Sequence, residues 1–233
     1  MRNDRIGRLQ FMGLINGIDT QEYVSFTTTR ALGGLPKRVF DFVFALFFIF
    51  LFSSIFIFTA IVTRLTSGPV IYKHNRVGFG GRTFRCFKFR TMVVDADKAL
   101  NALLRFDLAA RAEWERSQKI VDDPRITHVG RFLRRSSLDE LPQLFNVIRG
   151  EMSLVGPRPI APSEMPRYGN RLDMYLSARP GLTGAWQVSG RSDCDYDQRV
   201  ELDANYVSNW RFSTDIFILL RTVGAVFAEK GSY

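Results

Sequence analysis

FVFALFFIFLFSSIFIFTAIV, residues 42–62, runs for about 21 residues without a charged side chain. A helix of that length crosses a hydrocarbon core of about 30 Å. Every helical face is apolar, which does not suit the half-buried core helix of a soluble protein. The stretch is not a cleavable leader either: it starts too far from Met1, is too long, and no small-x-small site follows before Arg64. Lys37 and Arg38 precede it, and Arg64, Lys73, His74 and Arg76 follow. Basic residues favour the cytoplasmic side, so neither flank is marked for export. A re-entrant helix, bent near Ser53-Ser54 where hydroxyls compete for backbone carbonyls, keeps both flanks on one side. Asp41 at its start is expected to pair with Lys37 or Arg38.

The remainder of the 233 residues has ordinary globular composition, 46% apolar and 24% charged. The net charge of +9 calls for an anionic partner: nucleic acid, acidic lipid or a phosphate-bearing substrate. Cys86 and Cys194 have no metal-type spacing and frame no disulfide scaffold; both read as small core residues. Val70-Ile71-Tyr72 and TFRCFKFRT (83–91), joined through Gly78, Gly80 and Gly81, predict a β-hairpin. Asp95 to Ser117 carries helical spacing for one amphipathic helix or a pair. A turn at Asp122-Asp123-Pro124 and a helix through Phe145–Ile148, stopped by Gly150, follow. Residues 156–181 are punctuated by Gly and Pro and read as loop. A terminal apolar helix opens at Ser213, its expected N-cap, and is expected to lie in a membrane interface. The fold class is therefore mostly α with a small β-hairpin, an α+β arrangement.

The densest chemistry lies in Arg134-Arg135-Ser136-Ser137-Leu138-Asp139-Glu140-Leu141. Ser137 and Glu140 have capping-box spacing, which places both carboxylates in a first helical turn, although Pro142 disturbs a regular start. Acids there complement a helix dipole whether or not they do chemistry. The flanking arginines favour an ionised carboxylate, as a nucleophile or a Mg²⁺ ligand requires. Neighbours on a helix diverge by about 100°, so Asp139 and Glu140 are expected to differ in role. In Gly156-Pro157-Arg158-Pro159 two prolines stiffen the segment that carries Arg158, a way to aim a guanidinium at phosphate or simply a turn with an exposed arginine. Lys88 and Arg90, two apart in a strand, share a face fit for a diphosphate or for solvent. Arg179 to Gly184, with Trp186, Gln187, Gly190 and Arg191, mixes turn residues with hydrogen-bonding groups. Gly78-Phe79-Gly80-Gly81 is no phosphate loop, since no Gly-Lys-Ser/Thr follows. His128 reads as a core histidine.

Taken in order, Lys37-Arg38-x-x-Asp41, Lys88-Phe89-Arg90-Thr91-Met92, Ser137 to Leu144 through Asn146, Gly150-Glu151-Met152-Ser153 with Val155 to Pro159, and Arg179 to Gly184 with Trp186-Gln187 resemble the monotopic phosphoglycosyl transferases, or bacterial sugar transferases. The likeness covers residues 36 to 233. Lys230-Gly231-Ser232-Tyr233 and the turn Asp122-Asp123-Pro124-Arg125 resemble the galactose-1-phosphate transferase branch that initiates exopolysaccharides. The resemblance implies a ping-pong reaction at the cytoplasmic face of the bacterial inner membrane. Asp139 takes the phosphosugar from a UDP-sugar, galactose or else glucose, and passes it to undecaprenyl phosphate. It further implies Mg²⁺ on Asp139, assistance from Glu140, and Arg158 near the nucleotide phosphates. Lys88, Arg90, Arg134, Arg179, Gln187 and Arg191 complete the expected substrate contacts. The expected division is an arm (1–36), a membrane anchor (37–66) and a cytosolic catalytic domain (67–233), with a second copy as a candidate partner. Relatives often carry Ser-Pro at the bend where this chain has Ser53-Ser54.

Two other classes make distinct demands. A basic adaptor gripping acidic lipid needs its cations beside the anchor, yet Arg158, Arg179 and Arg191 lie far along the chain. A nucleic-acid binder lacks any helix-turn-helix, RNA-recognition or zinc-finger pattern to support it.

Overall fold

The computed structural model describes residues 29–66, 68–117, 120, 123–189 and 195–227. Most of the expected arm, Gly190, Arg191, Cys194 and the 230–233 ending lie outside the described residues. The apolar stretch forms two helices, α1 (Gly34–Leu51) and α2 (Ser53–Leu65), bent by 65° at the break. Phe52 leaves helical geometry at φ −96°, ψ 13°, one residue before the serine pair. No single described helix is long and apolar enough to cross a membrane; the bent pair passes that test together.

After α2 come β1 (Ile71–Val77) and β2 (Thr83–Phe89), the expected hairpin, turned through Phe79–Gly81. The expected amphipathic stretch is two helices, α3 (Ala96–Phe106) and α4 (Leu108–Ser117). Then follow α5 (His128–Arg135), a single 3₁₀ turn Leu138–Glu140, α6 (Gln143–Arg149) and β3 (Ser153–Val155). Next are 3₁₀ turns over Pro162–Arg171, α7 (Leu172–Leu176), β4 (Gly181–Thr183), α8 (Ala185–Val188), α9 (Tyr196–Ser208) and α10 (Phe212–Phe227). Helix α10 begins at Phe212, so Ser213 lies inside its first turn rather than capping it.

A second small sheet closes the two ends of the Gly/Pro-rich stretch read as loop: β3 and β4 pair in parallel, Ser153 opposite Gly181 and Val155 opposite Thr183. Three-residue strands offer too few side chains for an alternating pattern to show. That sheet is a correction to the expected fold class, which had the hairpin as its only β element.

The chain divides into two compact units that interleave along the sequence. Among the described residues, one takes in those within 29–50, 73–87 and 143–227, and the other those within 51–72 and 88–142. In the first unit Val77, Ile160, Tyr168, Leu172, Tyr175 and Val200 form the apolar core. The Tyr175 hydroxyl is buried there because it is satisfied, donating to Val77 O at 2.7 Å and accepting from Ile160 N at 3.2 Å.

The start of α1 is tied into this unit by all three residues of Lys37-Arg38-x-x-Asp41. Lys37 Nζ forms a buried ion pair with Asp215 rather than with Asp41. Asp41 instead accepts Leu154 N at 3.0 Å, from the middle of β3. Arg38 donates to the carbonyls of Val147 and Ile148, each at 2.6 Å. These are orphan carbonyls of the last turn of α6, where a cation also meets the negative end of the helix dipole. Gly150, at φ 78°, stops α6 as expected of a glycine just beyond a helix.

Candidate active site

In the second unit the chain after β2 is fastened to the start of α5. Thr127 N-caps α5, its hydroxyl accepting Gly130 N at 2.9 Å, and its own N–H reaches Thr91 O at 3.0 Å. Gly130 has to be glycine for this approach: a Cβ would fall 1.9 Å from Thr91 O. Arg134, one turn along α5, donates Nε to the Thr91 hydroxyl at 3.0 Å. His128 sits exposed in the first turn of α5, which corrects its reading as a core residue.

The expected capping box does not form. Ser137 takes the left-handed conformation at φ 55° and caps nothing with its side chain. It is the end of α5 that reaches Ser137, and Pro142 confines Leu138–Glu140 to one 3₁₀ turn before α6 begins. Among the described residues Ser137 is the only non-glycine with positive φ, a strain of about 1 kcal/mol placed two residues before Asp139. Ser137→Gly is therefore expected to hold or raise the melting temperature, while Ser137→Val lowers stability by roughly 1–2 kcal/mol. Equal effects of the two in thermal melts would show that the dihedral is not what matters.

That turn delivers Asp139 to a buried position, 7% exposed, with Glu140 half-buried beside it. Lys88, from the end of β2, places Nζ 2.6 Å from Glu140 Oε1 and 3.8 Å from Asp139 Oδ2. One ammonium thus serves both carboxylates, which the helical divergence of neighbours did not anticipate. Burial pushes the Asp139 carboxyl up to about 6, aided by the Glu140 charge and opposed by Lys88 and Arg134. The flanking arginines do not hold it low, as the sequence suggested, because desolvation outweighs them. At neutral pH the group is still mainly ionised, and more basic than an ordinary carboxylate.

Arg90 is not beside Lys88. The strand ends at Phe89, the alternation lapses, and the Arg90 guanidinium reaches the Thr66 hydroxyl at 2.8 Å and the last carbonyls of α2. It is buried and ties β2 to α2.

The first unit carries the remaining expected substrate residues. Arg158 is half-buried, its guanidinium 4.7 Å from the Trp186 ring centroid. Gln187 is half-buried on α8 beside Trp186. Arg179 donates Nε to Gly150 O at 2.9 Å, so part of its guanidinium holds backbone. Arg191 lies outside the described residues. Asp203 and Arg199, absent from the sequence-based set, reach Arg158 and Trp186, and Tyr168 and Glu164 are bonded to them in turn. Asp203 accepts Arg158 N and the Tyr168 hydroxyl; Arg199 pairs with Glu164 at 3.2 Å and lies 5.7 Å from the Trp186 ring. The Arg199–Asp203 spacing of four on α9 was the one sequence signal for this cluster.

The chain is 51% identical over 197 residues to the undecaprenyl-phosphate galactose phosphotransferase of Salmonella typhimurium, a match covering 84% of this chain and 41% of that protein. It is 46% identical over 205 residues to the exopolysaccharide production protein ExoY of Rhizobium meliloti, covering 88% and 91%. To the UDP-glucose:undecaprenyl-phosphate glucose-1-phosphate transferase of Escherichia coli it is 36% identical over 217 residues, covering 89% and 43%. The chain thus spans about two-fifths of the length of the Salmonella and Escherichia proteins. With residues 32–229 matching the family described as bacterial sugar transferase, the chain belongs to the bacterial sugar transferases.

Proposed function

We propose that this protein transfers a hexose 1-phosphate, galactose 1-phosphate before glucose 1-phosphate, from a UDP-sugar to undecaprenyl phosphate and releases UMP. The observation that carries the reading is Asp139: a buried carboxylate, more basic than usual, presented on a strained turn with Lys88 beside it. The name of the Salmonella relative supports undecaprenyl phosphate and a galactose phosphate as the reacting groups, and that of the Rhizobium relative supports a place in exopolysaccharide production. Glucose is the second reading, supported by the more distant Escherichia relative.

In the first half-reaction an Asp139 Oδ lone pair attacks the β-phosphorus of the UDP-sugar. The P–Oδ bond forms as the bond from that phosphorus to the bridging oxygen breaks, and UMP departs with the electron pair. In the second, a phosphate oxygen of the polyprenyl phosphate attacks the same phosphorus and restores the Asp139 carboxylate. Splitting the transfer this way lets one site serve a soluble and a lipid substrate in turn. Lys88 offsets negative charge at Asp139 and Glu140. Arg158, in the other unit, is read as a phosphate ligand.

Mg²⁺ fits this site in a particular way. Among the described residues no three His, Cys, Asp or Glu side chains gather, but Mg²⁺ commonly takes one or two carboxylates and fills its octahedron with substrate phosphate and water. Asp139, with Glu140 in support, would hold it; when bound it would spread the charge of the diphosphate.

The membrane supplies the second substrate. Phe42, Val43, Phe47, Phe50, Ile57, Phe58 and Ile61 are all exposed on α1 and α2. An apolar surface of this kind belongs in lipid rather than water. A bent, re-entrant insertion with basic flanks on the cytoplasmic side of the bacterial inner membrane accommodates both helices.

The test is UMP release by the purified chain with undecaprenyl phosphate, Mg²⁺ and either UDP-galactose or UDP-glucose, from pH 5 to 8.5. UDP-galactose is expected to react faster. Because the attacking Asp139 must be ionised, kcat/KM is expected to fall towards low pH, and Mg²⁺ held by the carboxyl would move that fall below the metal-free value of about 6. Reaction with UDP-glucose alone moves the sugar assignment; substantial activity left in Asp139→Asn removes Asp139 as the nucleophile. A protein silent with both sugars is tried with other UDP-sugars before the adaptor takes the lead.

A further inference from the structure

Arg158 sits on a segment held on both sides. Gly156 N donates to Thr183 O at 2.9 Å and Pro157 O accepts Gly181 N at 2.8 Å, continuing the β3–β4 pair past its end, and Ile160 N donates to the Tyr175 hydroxyl. The Arg158 N–H is held by a side chain 45 residues away on α9, donating to Asp203 Oδ2 at 3.3 Å. The same oxygen accepts the Tyr168 hydroxyl at 2.9 Å.

Asp203 is 1% exposed, and its other oxygen, Oδ1, is buried with no hydrogen-bond partner. Burial pushes its carboxyl up to about 7, against the pull of Tyr168, the Arg158 N–H and the Arg199 and Arg158 charges. A buried carboxylate kept at that electrostatic cost is a poor stabiliser of the fold. Its useful product is geometry. The acceptor fixes the Arg158 backbone from below while the Trp186 ring, 4.7 Å from the guanidinium, carries the other end. Tyr168 is itself wedged against Tyr175 and Tyr196, with ring centroids 5.0 and 6.3 Å away, so the anchor does not drift.

We infer that Asp203 is a positioning residue for Arg158: one carboxylate oxygen, oriented by Tyr168, holds the Pro157-Arg158-Pro159 turn in the form that presents the guanidinium for phosphate. The inference rests on the reading of Arg158 as a phosphate ligand. It concerns one oxygen, not the charge, and that distinction makes it testable. Asp203→Asn can keep a carbonyl oxygen in the Oδ2 position; Asp203→Ala cannot.

The experiment is a double-mutant cycle on UMP release from the UDP-sugar, with melting temperatures taken in parallel. Arg158→Ala is expected to lower kcat/KM about 100-fold. Asp203→Ala is expected to raise KM about tenfold with a smaller change in kcat, since a misplaced ligand weakens binding first. Asp203→Asn should stay within about threefold of wild type. In the Arg158→Ala background Asp203→Ala should cost nothing further, because nothing is left to aim. Additive losses in the cycle overturn the inference, as does an Asp203→Asn as damaging as Asp203→Ala. If Asp203→Ala does not yield folded protein, Tyr168→Phe takes its place in the same cycle, with a loss of a few-fold expected and non-additivity again decisive. Should Arg158→Ala alone leave kcat/KM intact, the phosphate role of Arg158 has failed and the anchor has nothing to serve. That result is distinct from an additive cycle, in which Arg158 matters and Asp203 acts elsewhere.

Discussion

Asp139→Asn is expected to lower UMP release by at least about 10³-fold and, at the same time, to raise the melting temperature. The first effect follows from removing the atom that forms the covalent bond, for which an amide oxygen is no substitute. The second follows from the cost of keeping that atom ready. The Asp139 carboxyl, ordinarily near 3.8, sits at about 6 in the folded chain because it is buried. The folded state therefore holds its proton more tightly than the unfolded chain. The stability tied to that proton is complete below about 3.8 and lost as pH rises through about 6. Above pH 7 the whole penalty is present, of order 1–3 kcal/mol. Asn fills nearly the same volume without an ionisation, and Lys88 retains Glu140 at 2.6 Å. A gain of several degrees is expected at pH 8, shrinking towards pH 5. Two thermal melts, at pH 8 and pH 5, and one UMP assay decide it. A variant that keeps a tenth of wild-type activity, or melts no higher than wild type at pH 8, sinks this account of the site. Function traded against stability is the general pattern for a group strained toward its task.

Asp215→Ala is expected to cost about 3–5 kcal/mol, the largest single loss of stability foreseen for this chain. Lys37 and Asp215 form an ion pair whose side chains are almost wholly buried. Asp215 also accepts the Tyr206 hydroxyl at 2.6 Å and the Trp210 indole N–H at 3.2 Å. The substitution therefore strands a buried ammonium and two further donors. The pair joins the first turn of α1 to the first turn of α10, so its loss is expected to free the base of the apolar helix. Thermal melts in one detergent would show a fall of roughly 10 °C. Lys37→Met added to Asp215→Ala should recover part of the loss, because the isolated charge is gone while the two donors remain unpaired. A double variant no more stable than Asp215→Ala would mean that the ammonium is not stranded.

Some of this was legible in the chain alone. The uncharged run over residues 42–62 announced itself because an apolar helix needs no partner to be recognised. The hairpin, the paired amphipathic helices and the stop at Gly150 each rest on interactions between near neighbours. Asp139 stood out because its surroundings, arginines before it and a proline after it, are local too. What could not be read was where long-range partners fall. Lys37 or Arg38 was expected to meet Asp41; Lys37 meets Asp215 instead, and Arg38 the carbonyls of Val147 and Ile148. Arg90 was grouped with Lys88 and binds the end of α2. His128 was assigned to a core that it does not enter. The β3–β4 pair escaped notice because strands of three residues are recognised by the partner they find.

The sequence by itself determined the family, the apolar helix and the residues able to do phosphate chemistry, since these depend on residue type, order and local spacing. Tertiary structure alone decided that Asp139 is buried enough to be basic, that one lysine serves both acids, and that an aspartate 45 residues beyond Arg158 holds it in place. Desolvation and hydrogen bonding between distant segments are properties of packing. They come into being only when the chain closes on itself, and no window along the sequence contains them.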